Sequence, residues 1–343
     1  MRKYIVFMPA IIVFLLVMSA GCGDEGEKTM AEIKQKAPIV FAAYGETEEE
    51  LNYLYCLAES IREFGGNVKD APLWIFVPEH INIPVDSIIG RFGSIRNVEI
   101  KLSQTPPDAL AFYFAGKVFA AGKAEKLAAD KAEILVWMDS DTILLTEPGD
   151  FILPDSIAFA YRPVMHNRSG TLFNEPPNRF WKRIYEVLEI DEKTLFPMIT
   201  PADNQEIKTY FNAGLIAIRP EFGILGKWGK DFEKLYRDSA LIEMCHADIT
   251  NRIFLHQTAL VGAVLNTIDR SQMIELSDRY NYPIFFDIMF GADQPFDSLN
   301  NVVTLRYDYY FRNPEPNWED KLIGDKEIIG WIKSRLEVGK QDK

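Results

Sequence analysis

The sequence predicts an α/β fold with a Rossmann-like, mainly parallel central sheet that is flanked by helices. Three continuous apolar runs, Ile39–Tyr44, Leu73–Val77 and Ile134–Met138, have the length and composition of strands that are buried on both faces. Segments with helical periodicity separate these runs, and strands that alternate with helices indicate βαβ units. The first half of the chain therefore indicates a doubly wound sheet.

Residues that typically begin or end a helix define the elements between these strands. An acidic helix start at Glu46–Glu50 follows the first strand, and the helix ends at Gly65-Gly66. Its apolar positions recur at helical spacing: Leu51, Leu54, Ala58 and Ile61. A third strand is predicted at Val98–Leu102, and one long, alanine-rich helix is predicted from Asp108 to Ala129.

The second half of the chain has a less regular pattern. Short apolar runs and amphipathic stripes predict strands at Ile157–Tyr161 and Leu215–Ile218, and helices at Phe180–Leu188, Phe222–Tyr236, Ile253–Leu265 and Ile328–Leu336. Short aromatic segments lie near Tyr280–Phe286 and Val302–Phe311. There is no internal repeat, so we treat residues 38 to 336 as a single domain, followed by a tail at 337 to 343.

Composition limits the classes of function. Of the 343 residues, 48% are hydrophobic, which is enough for a large core. The net charge is −13, and no run of Lys and Arg is interleaved with aromatics, so we expect no nucleic-acid partner. Cys56 and Cys245 have neither metal-site spacing nor a disulfide pattern, and we expect buried, small hydrophobic side chains, although a bridge between them stays open.

The N-terminus has the pattern of an export signal. Arg2 and Lys3 precede an uncharged apolar stretch, and Ser19-Ala20-Gly21-Cys22 follows it. This ending resembles a bacterial lipoprotein signal, in which the cysteine is lipidated, but an uncleaved anchor is also compatible with it. We expect residues 1 to 22 to anchor the protein to the membrane, residues 23 to 37 to be a tether, and the domain to lie on the extracytoplasmic face of the cell envelope.

Two carboxylates follow the fourth strand directly. Asp139 and Asp141 stand two residues apart at the end of Ile134–Met138, where open α/β sheets bind ligands. Side chains two apart in extended chain point the same way, so both can face one ligand. Hard oxygen donors suit Mg²⁺ or Mn²⁺. By spacing alone, a turn cap at Asp139 and a solvated Asp141 explain the pair better than a metal site does.

Three motifs in a fixed order favour a functional role for Asp139 and Asp141. The segments are Trp137-Met138-Asp139-Ser140-Asp141-Thr142, then Tyr210-Phe211-Asn212-Ala213-Gly214, then His256-Gln257-Thr258. This order resembles glycosyltransferase family 8 and its relatives, over about residues 38 to 290. The resemblance implies the GT-A fold of nucleotide-diphospho-sugar transferases and a divalent cation, Mn²⁺ or Mg²⁺, as cofactor.

The resemblance also implies roles for single residues. Asp139 and Asp141 are expected to bind the cation that bridges the donor diphosphate, and Asn212 the transferred sugar or the acceptor. Gln257 is expected beneath the anomeric carbon. Further donor-binding residues are predicted at five positions: Lys117, Lys123, Ser140, Gly214 and His256.

Some of these predictions leave alternatives open. Lys117 and Lys123 are six residues apart, so they do not share a helix face and at most one is expected to serve. The family often supplies a third metal ligand from a C-terminal histidine. This chain has Asp308 in that region, either as an oxygen ligand or as a surface aspartate.

The leading hypothesis is a metal-dependent enzyme that transfers a sugar, with retention of configuration, from a nucleotide-diphosphate donor to a glycan or other hydroxyl acceptor. A non-catalytic glycan-binding protein of the cell envelope on the same fold is the alternative, because nucleotide sugars are cytoplasmic in bacteria. A nucleotidyltransferase is disfavoured, since Tyr44-Gly45-Glu46-Thr47-Glu48 is acidic where that class has a basic, glycine-rich loop.

Overall fold

The computed structural model describes residues 36–284, 286, 291, 296–307 and 317–335. The predicted signal segment, the tail and Asp308 lie outside these residues, as does the tether up to position 35. Among the described helices, none combines the length and the apolar character that a membrane crossing requires.

The described residues contain twelve strands. Their bounds are β1 Ala37–Tyr44, β2 Leu73–Pro78, β3 Val98–Ser103, β4 Ala132–Met138, β5 Thr142–Leu144, β6 Phe159–Pro163, β7 Pro197–Ile199, β8 Glu206–Lys208, β9 Phe211–Ile218, β10 Met273–Glu275, β11 Tyr282–Pro283 and β12 Thr304–Arg306.

Seven of these strands form the central sheet, in the order β10-β6-β9-β4-β1-β2-β3. Every pairing is parallel except those of β9, which runs antiparallel to both β4 and β6. Strand β1 pairs with β2 on one side and β4 on the other, and β4, which carries the predicted carboxylates at its end, is the central strand of the seven. The prediction of an α/β fold with a mainly parallel central sheet that is flanked by helices is confirmed.

Eight α-helices accompany the sheet in the described part of the chain. They are α1 Glu48–Phe64, α2 Val85–Phe92, α3 Ala115–Ala128, α4 Arg179–Leu188, α5 Ile224–Arg237, α6 Ser239–Ala247, α7 Ile249–Leu265 and α8 Lys326–Arg335. The predicted acidic start of α1 is a capping box, in which the Thr47 hydroxyl accepts from the Glu50 N–H and the Glu50 carboxylate accepts from the Thr47 N–H.

The helices cover both faces of the sheet because successive strand residues point to opposite sides. Trp137 and Ile216 belong to the core beneath α3, α5 and α7. Val136 and Leu215 belong to the core beneath α1 and α2. A third cluster joins α8 to the small sheet of β11, β12 and β5. Cys56 and Cys245 are free and buried, so the possible bridge between them is excluded.

The long helix predicted from Asp108 to Ala129 is wrong in its first turns. A 3₁₀ turn covers Pro107–Ala111, Phe112 is extended, Phe114 has a left-handed conformation with φ of 62°, and α3 begins only at Ala115. Tertiary contacts override helix propensity here, since Phe112 packs on Phe232 and Tyr236 of α5. The strand predicted at 157–161 begins two residues later, as β6 Phe159–Pro163. The helix α6 was not predicted.

Candidate functional site

The site begins where β4 ends beside β9. The Asp139 N–H donates to the Gly214 carbonyl at 2.8 Å, which continues the pairing of Met138 with Leu215. Asp139 is therefore fixed by the backbone of the sheet, directly over the Asn212-Ala213-Gly214 segment. Two of the three sequence motifs meet at this point.

A buried lysine lies against the first carboxylate. The Lys117 Nζ is 2.5 Å from Asp139 Oδ1, and the lysine side chain is only 8% exposed. Lys117 is in the first turn of α3, so the break in the predicted helix at Phe114 decides which way this turn faces. Its Nζ also lies 5.5 Å from the centre of the Phe114 ring. A charge this deeply buried is stabilised by its carboxylate partner.

The second carboxylate is positioned by the small sheet. The Asp141 carbonyl accepts from the Tyr307 N–H at 3.2 Å, next to the pairing of β5 with β12. As a result the Arg306 Nε lies 3.8 Å from Asp141 Oδ2. Asp141 is buried, and Ser140 between the two carboxylates lines the same cavity.

Oxygen atoms converge over Gly214. The Gly214 N–H donates to Asn212 Oδ1 at 2.8 Å. A Cβ added at Gly214 would lie 2.7 Å from Asp139 Oδ2 and 3.0 Å from Asn212 Oδ1. Glycine is required here because any larger residue would displace these oxygens.

This arrangement suits a hard divalent cation. Asp139, Asp141 and Asn212 offer carboxylate and amide oxygens, the ligand types that Mg²⁺ and Mn²⁺ prefer. Within the described ranges there is no cluster of three or more His, Cys, Asp and Glu side chains that could hold a metal. A cation would thus take two carboxylates from this part of the chain, and Asp308, predicted as a third ligand, is outside it.

Gln257 from α7 lies on the other side of the Asn-Ala-Gly segment. Its Oε1 accepts from the Ala213 N–H at 3.2 Å, and its side chain also bonds to the Tyr210 hydroxyl. That hydroxyl lies 2.9 Å from Ser169 Oγ. Burial raises the pKa of Tyr210 to about 12, so the phenol keeps its proton and can donate. The chain of bonds fixes the orientation of the Gln257 amide.

His256 is a buried, neutral side chain. Burial, together with the nearby Lys117, holds the pKa of its imidazole well below the ordinary value. Its Nδ1 lies 2.9 Å from the Ile253 carbonyl, so this nitrogen carries the proton of the neutral ring. The ring packs 4.6 Å from Phe114 and 6.3 Å from Trp228, centre to centre.

All these groups line one cavity of about 1360 Å³. This volume exceeds the range of about 300 to 1,000 Å³ that is usual for small-molecule sites, so it can hold more than one small molecule. Lys123 is not among the lining residues. Its Nζ donates to the Leu102 carbonyl at 2.7 Å on the exposed side of α3. Of the two candidate lysines, the structure brings only Lys117 to the cavity.

The sequence analysis assigned no role to several lining residues, among them Phe114, Ser169, Tyr210, Arg252 and Arg306. A periodicity could have identified two of them. Tyr210 alternates with Asn212 and Gly214 along extended chain, and Arg252 is one helical turn before His256 on α7. For Phe114, Ser169 and Arg306 we find no comparable signal.

One family model matches the part of the chain that contains this site. The family model described as "Rhodobacterales glycosyltransferase domain" matches residues 47–267, which include both carboxylates, the Asn-Ala-Gly segment and Gln257. A comparison with the curated proteins finds no match.

Three solved structures are similar to this chain at low identity. The WbbM bifunctional glycosyltransferase is 11% identical, with 90% of this chain covered and a TM-score of 0.47. This chain spans 50% of the length of that WbbM chain. The galactosyltransferase LgtC with donor and acceptor sugar analogs is 15% identical, with coverage of 87% and 93% and a TM-score of 0.44. Mouse xyloside xylosyltransferase 1 is 9% identical, with coverage of 80% and 98% and a TM-score of 0.42.

Proposed function

The chain belongs to the Rhodobacterales glycosyltransferase domain family, a family of sugar-transferring enzymes, and from this premise we propose its donor, its cofactor and its stereochemistry. The donor is a nucleotide diphosphate sugar, and the cofactor is Mn²⁺ or Mg²⁺ bound by Asp139 and Asp141. The acceptor is a hydroxyl of a glycan or of another molecule. The observation that carries the proposal is the convergence of Asp139 Oδ2 and Asn212 Oδ1 over Gly214.

The leaving group of such a reaction is a nucleoside diphosphate, which gains negative charge as the bond to the sugar breaks. When bound, a divalent cation neutralises that charge as a Lewis acid. Lys117 supports the same role in two ways: it holds Asp139 in place, and it keeps a positive charge at the end of β4. Such charges act strongly because they are fixed before the reaction begins.

Asn212 and Gln257 define the place of the transferred sugar. Both are buried, and both are held by backbone groups of the same strand, Gly214 N–H and Ala213 N–H. We propose that the sugar binds between them with its anomeric carbon above Gln257, and that transfer retains configuration, as the resemblance to family 8 implies. Ser140, Gly214 and His256 then line the donor end of the cavity.

We also propose that residues 1 to 22 anchor the enzyme to the membrane, with the domain on the extracytoplasmic face. The basic, apolar and small-residue pattern of this segment supports the proposal. Mass spectrometry of the mature N-terminus tests it: a lipidated Cys22 is expected, and an intact Met1 would favour an uncleaved anchor.

Donor binding by the full chain tests the catalytic proposal. We expect one of the common UDP- or GDP-sugars to raise the melting temperature by about 5 °C in the presence of Mn²⁺, and by much less with EDTA. The double variant Asp139→Asn, Asp141→Asn is expected to lose this stabilisation. Absence of any Mn²⁺-dependent effect across the donor panel would contradict the proposal.

A matched control removes two charges from the opposite end of the same strand. Asp130 and Glu133 are exposed beside the start of β4 and do not line the cavity. The variant Asp130→Asn, Glu133→Gln is expected to bind the donor as the native chain does. Equal losses in both double variants would point to a general effect of net charge.

A further inference from the structure

The outer end of the cavity contains a group that the proposed reaction does not use. Arg252 lies in the first turn of α7, and the same face of α7 carries Ile253, His256 and Gln257 along the cavity wall. Arg252 is five residues before Gln257, about 7.5 Å along the helix axis. It is therefore well separated from the place proposed for the anomeric carbon.

The guanidinium of Arg252 is held firmly in place. Its Nε donates to the Ala111 carbonyl at 3.2 Å, and its Nη2 donates to the same oxygen. The group also lies 5.9 Å from the Phe112 ring centre and 5.8 Å from that of Tyr113. In the described part of the chain its Nη1 makes no hydrogen bond, and an immobilised, planar guanidinium of this kind suits a carboxylate or phosphate.

Among the described residues, no carboxylate forms an ion pair with Arg252. Four Lys and Arg side chains line the cavity, and two of them, Lys117 and Arg306, lie against Asp139 and Asp141. No carboxylate in the described ranges lies within 4.0 Å of the charged nitrogens of the other two, Arg168 and Arg252.

Nor does the helix stabilise this charge. Asp248, the acid nearest to Arg252 along α7, instead caps the helix through the Thr250 N–H. A positive charge in the first turn of a helix is also unfavourable for the helix dipole.

An apolar surface lies directly beside this charge. Leu110, Tyr113 and Phe114 line the cavity and are 66%, 48% and 48% exposed. The left-handed backbone of Phe114, which is costly for a residue with a side chain, turns its ring into the cavity. Aromatic faces of this kind can pack against the apolar face of a sugar ring.

We propose that Arg252 and the segment 110–114 form an acceptor subsite for a sugar that carries an anionic substituent, either a carboxylate or a phosphate. This inference rests on the proposed function, since it assigns the remaining end of the same cavity to the acceptor. The aromatic surface binds the ring, and the guanidinium binds the anion.

Sugars that differ only in the group at carbon 6, which is neutral or anionic, test the proposal. The methyl glycosides of glucuronic acid, glucose and glucose 6-phosphate are titrated into the full chain, with and without Mn²⁺ and the best donor, and dissociation constants are measured by ligand-observed NMR. We expect the native chain to bind at least one acidic sugar about tenfold more tightly than glucose. The two acidic probes decide between carboxylate and phosphate.

Substitution of the arginine gives the decisive comparison. Arg252→Gln is expected to reduce the preference for the acidic sugar to less than about twofold, while donor binding stays within about twofold. Arg252→Lys is expected to keep part of the preference, because the charge remains but the fork is lost. Arg237→Gln is the control, since Arg237 binds Asp108, two residues before the segment 110–114, and does not line the cavity.

Four outcomes would overturn the inference. The first is no preference of the native chain for an acidic sugar, and the second is an unchanged preference in Arg252→Gln. The third is a loss of donor binding in Arg252→Gln as large as its loss of acidic-sugar binding, and the fourth is an equal loss of the preference in Arg237→Gln. The third would assign Arg252 to the donor diphosphate, and the fourth would show that order in segment 110–114 matters, not charge. If the native chain binds no donor but keeps an acid preference that depends on Arg252, the proposed function fails and the anion site stands.

Discussion

The floor and the rim of the cavity are built in different ways. The floor consists of Asp139, Asn212, Gly214 and Gln257, which lie on or against β4 and β9 and are tied to strand backbone. The rim consists of the segment 110–114 with Arg252, which are held by side-chain contacts with α5 and α7 and not by strand pairing, and Leu110, Tyr113 and Phe114 are exposed. The floor thus has one geometry fixed by the sheet, whereas the rim can change its chemistry without disturbing the sheet.

The largest effect is expected at the floor. Asp139→Asn removes a proposed cation ligand and leaves the Lys117 ammonium, 8% exposed, without its carboxylate. We expect sugar transfer to fall by about 10²- to 10³-fold, and the free energy of unfolding to fall by about 1 to 3 kcal/mol. Steady-state kinetics and urea unfolding measure the two effects.

A second substitution separates these effects. In the double variant Lys117→Met, Asp139→Asn no buried charge is left unpaired at this place, so we expect most of the lost stability to return while activity stays low. Recovery of activity in the double variant would show that the Asp139 carboxylate is not needed as a ligand.

Gly214→Ala is expected to have a smaller effect without unfolding the chain. The new Cβ would meet the ends of the Asp139 and Asn212 side chains, which can move. A displacement of this size is expected to lower kcat/KM by about 10- to 100-fold. The control is Gly330→Ala in α8, where no atom lies within 4 Å of the added Cβ and activity should be unchanged. Equal activities of the two variants would show that the oxygens over Gly214 need no fixed position.

The stability of the helix that carries Lys117 is expected to depend on pH. Glu125, on the helix that carries Lys117, is buried, and its Oε2 accepts from the Gly226 N–H of α5 at 2.7 Å. Burial raises the pKa of this carboxyl from 4.5 to about 7. The folded state therefore keeps a proton that the unfolded chain loses, so this stabilisation is complete below pH 4.5 and is lost as the pH rises towards 7.

Glu125→Gln cannot ionise and should remove this dependence. Relative to the native chain, the variant is expected to gain about 3 kcal/mol in unfolding free energy between pH 4.5 and pH 8. Chemical denaturation at both pH values measures the change. A constant difference between the two chains would show that Glu125 titrates normally in the folded state.

The smallest effect is expected for Lys123→Gln. Lys123 is on the same helix as Lys117 but outside the cavity, where it contacts only the Leu102 carbonyl among the described residues. Transfer should stay within about twofold and stability within about 0.5 kcal/mol. A tenfold rise in the KM for the donor would instead make Lys123 the residue that contacts the donor.

Much of the floor could be predicted from the sequence. Strands β1 to β4 were placed within about two residues, because the buried strands β1, β2 and β4 leave continuous apolar runs and the edge strand β3 alternates apolar and polar residues. Asp139, Asn212 and Gln257 stand in motifs attached to such elements, so their common location follows from the end of β4 and its neighbour β9.

The rim could not be predicted in the same way. The run from Asp108 to Ala129 has a helical composition, yet contacts of Phe112 and Arg252 with distant parts of the chain break it before Ala115. The packing of α3 also decides that Lys117 lines the cavity, whereas Lys123 is exposed and bonds to the Leu102 carbonyl. Arg306 reaches Asp141 only because β12 pairs with β5, more than 150 residues earlier in the chain.

The sequence by itself determined the α/β class, the strand that ends in Asp139 and Asp141, and the motifs that accompany them, because buried strands and their end residues leave local patterns. Only the tertiary structure decided which lysine meets Asp139, how Tyr210 and Ser169 fix Gln257, and where Arg252 places its charge. These contacts join residues far apart in the chain, and their energies depend on distance and burial, which no local pattern records.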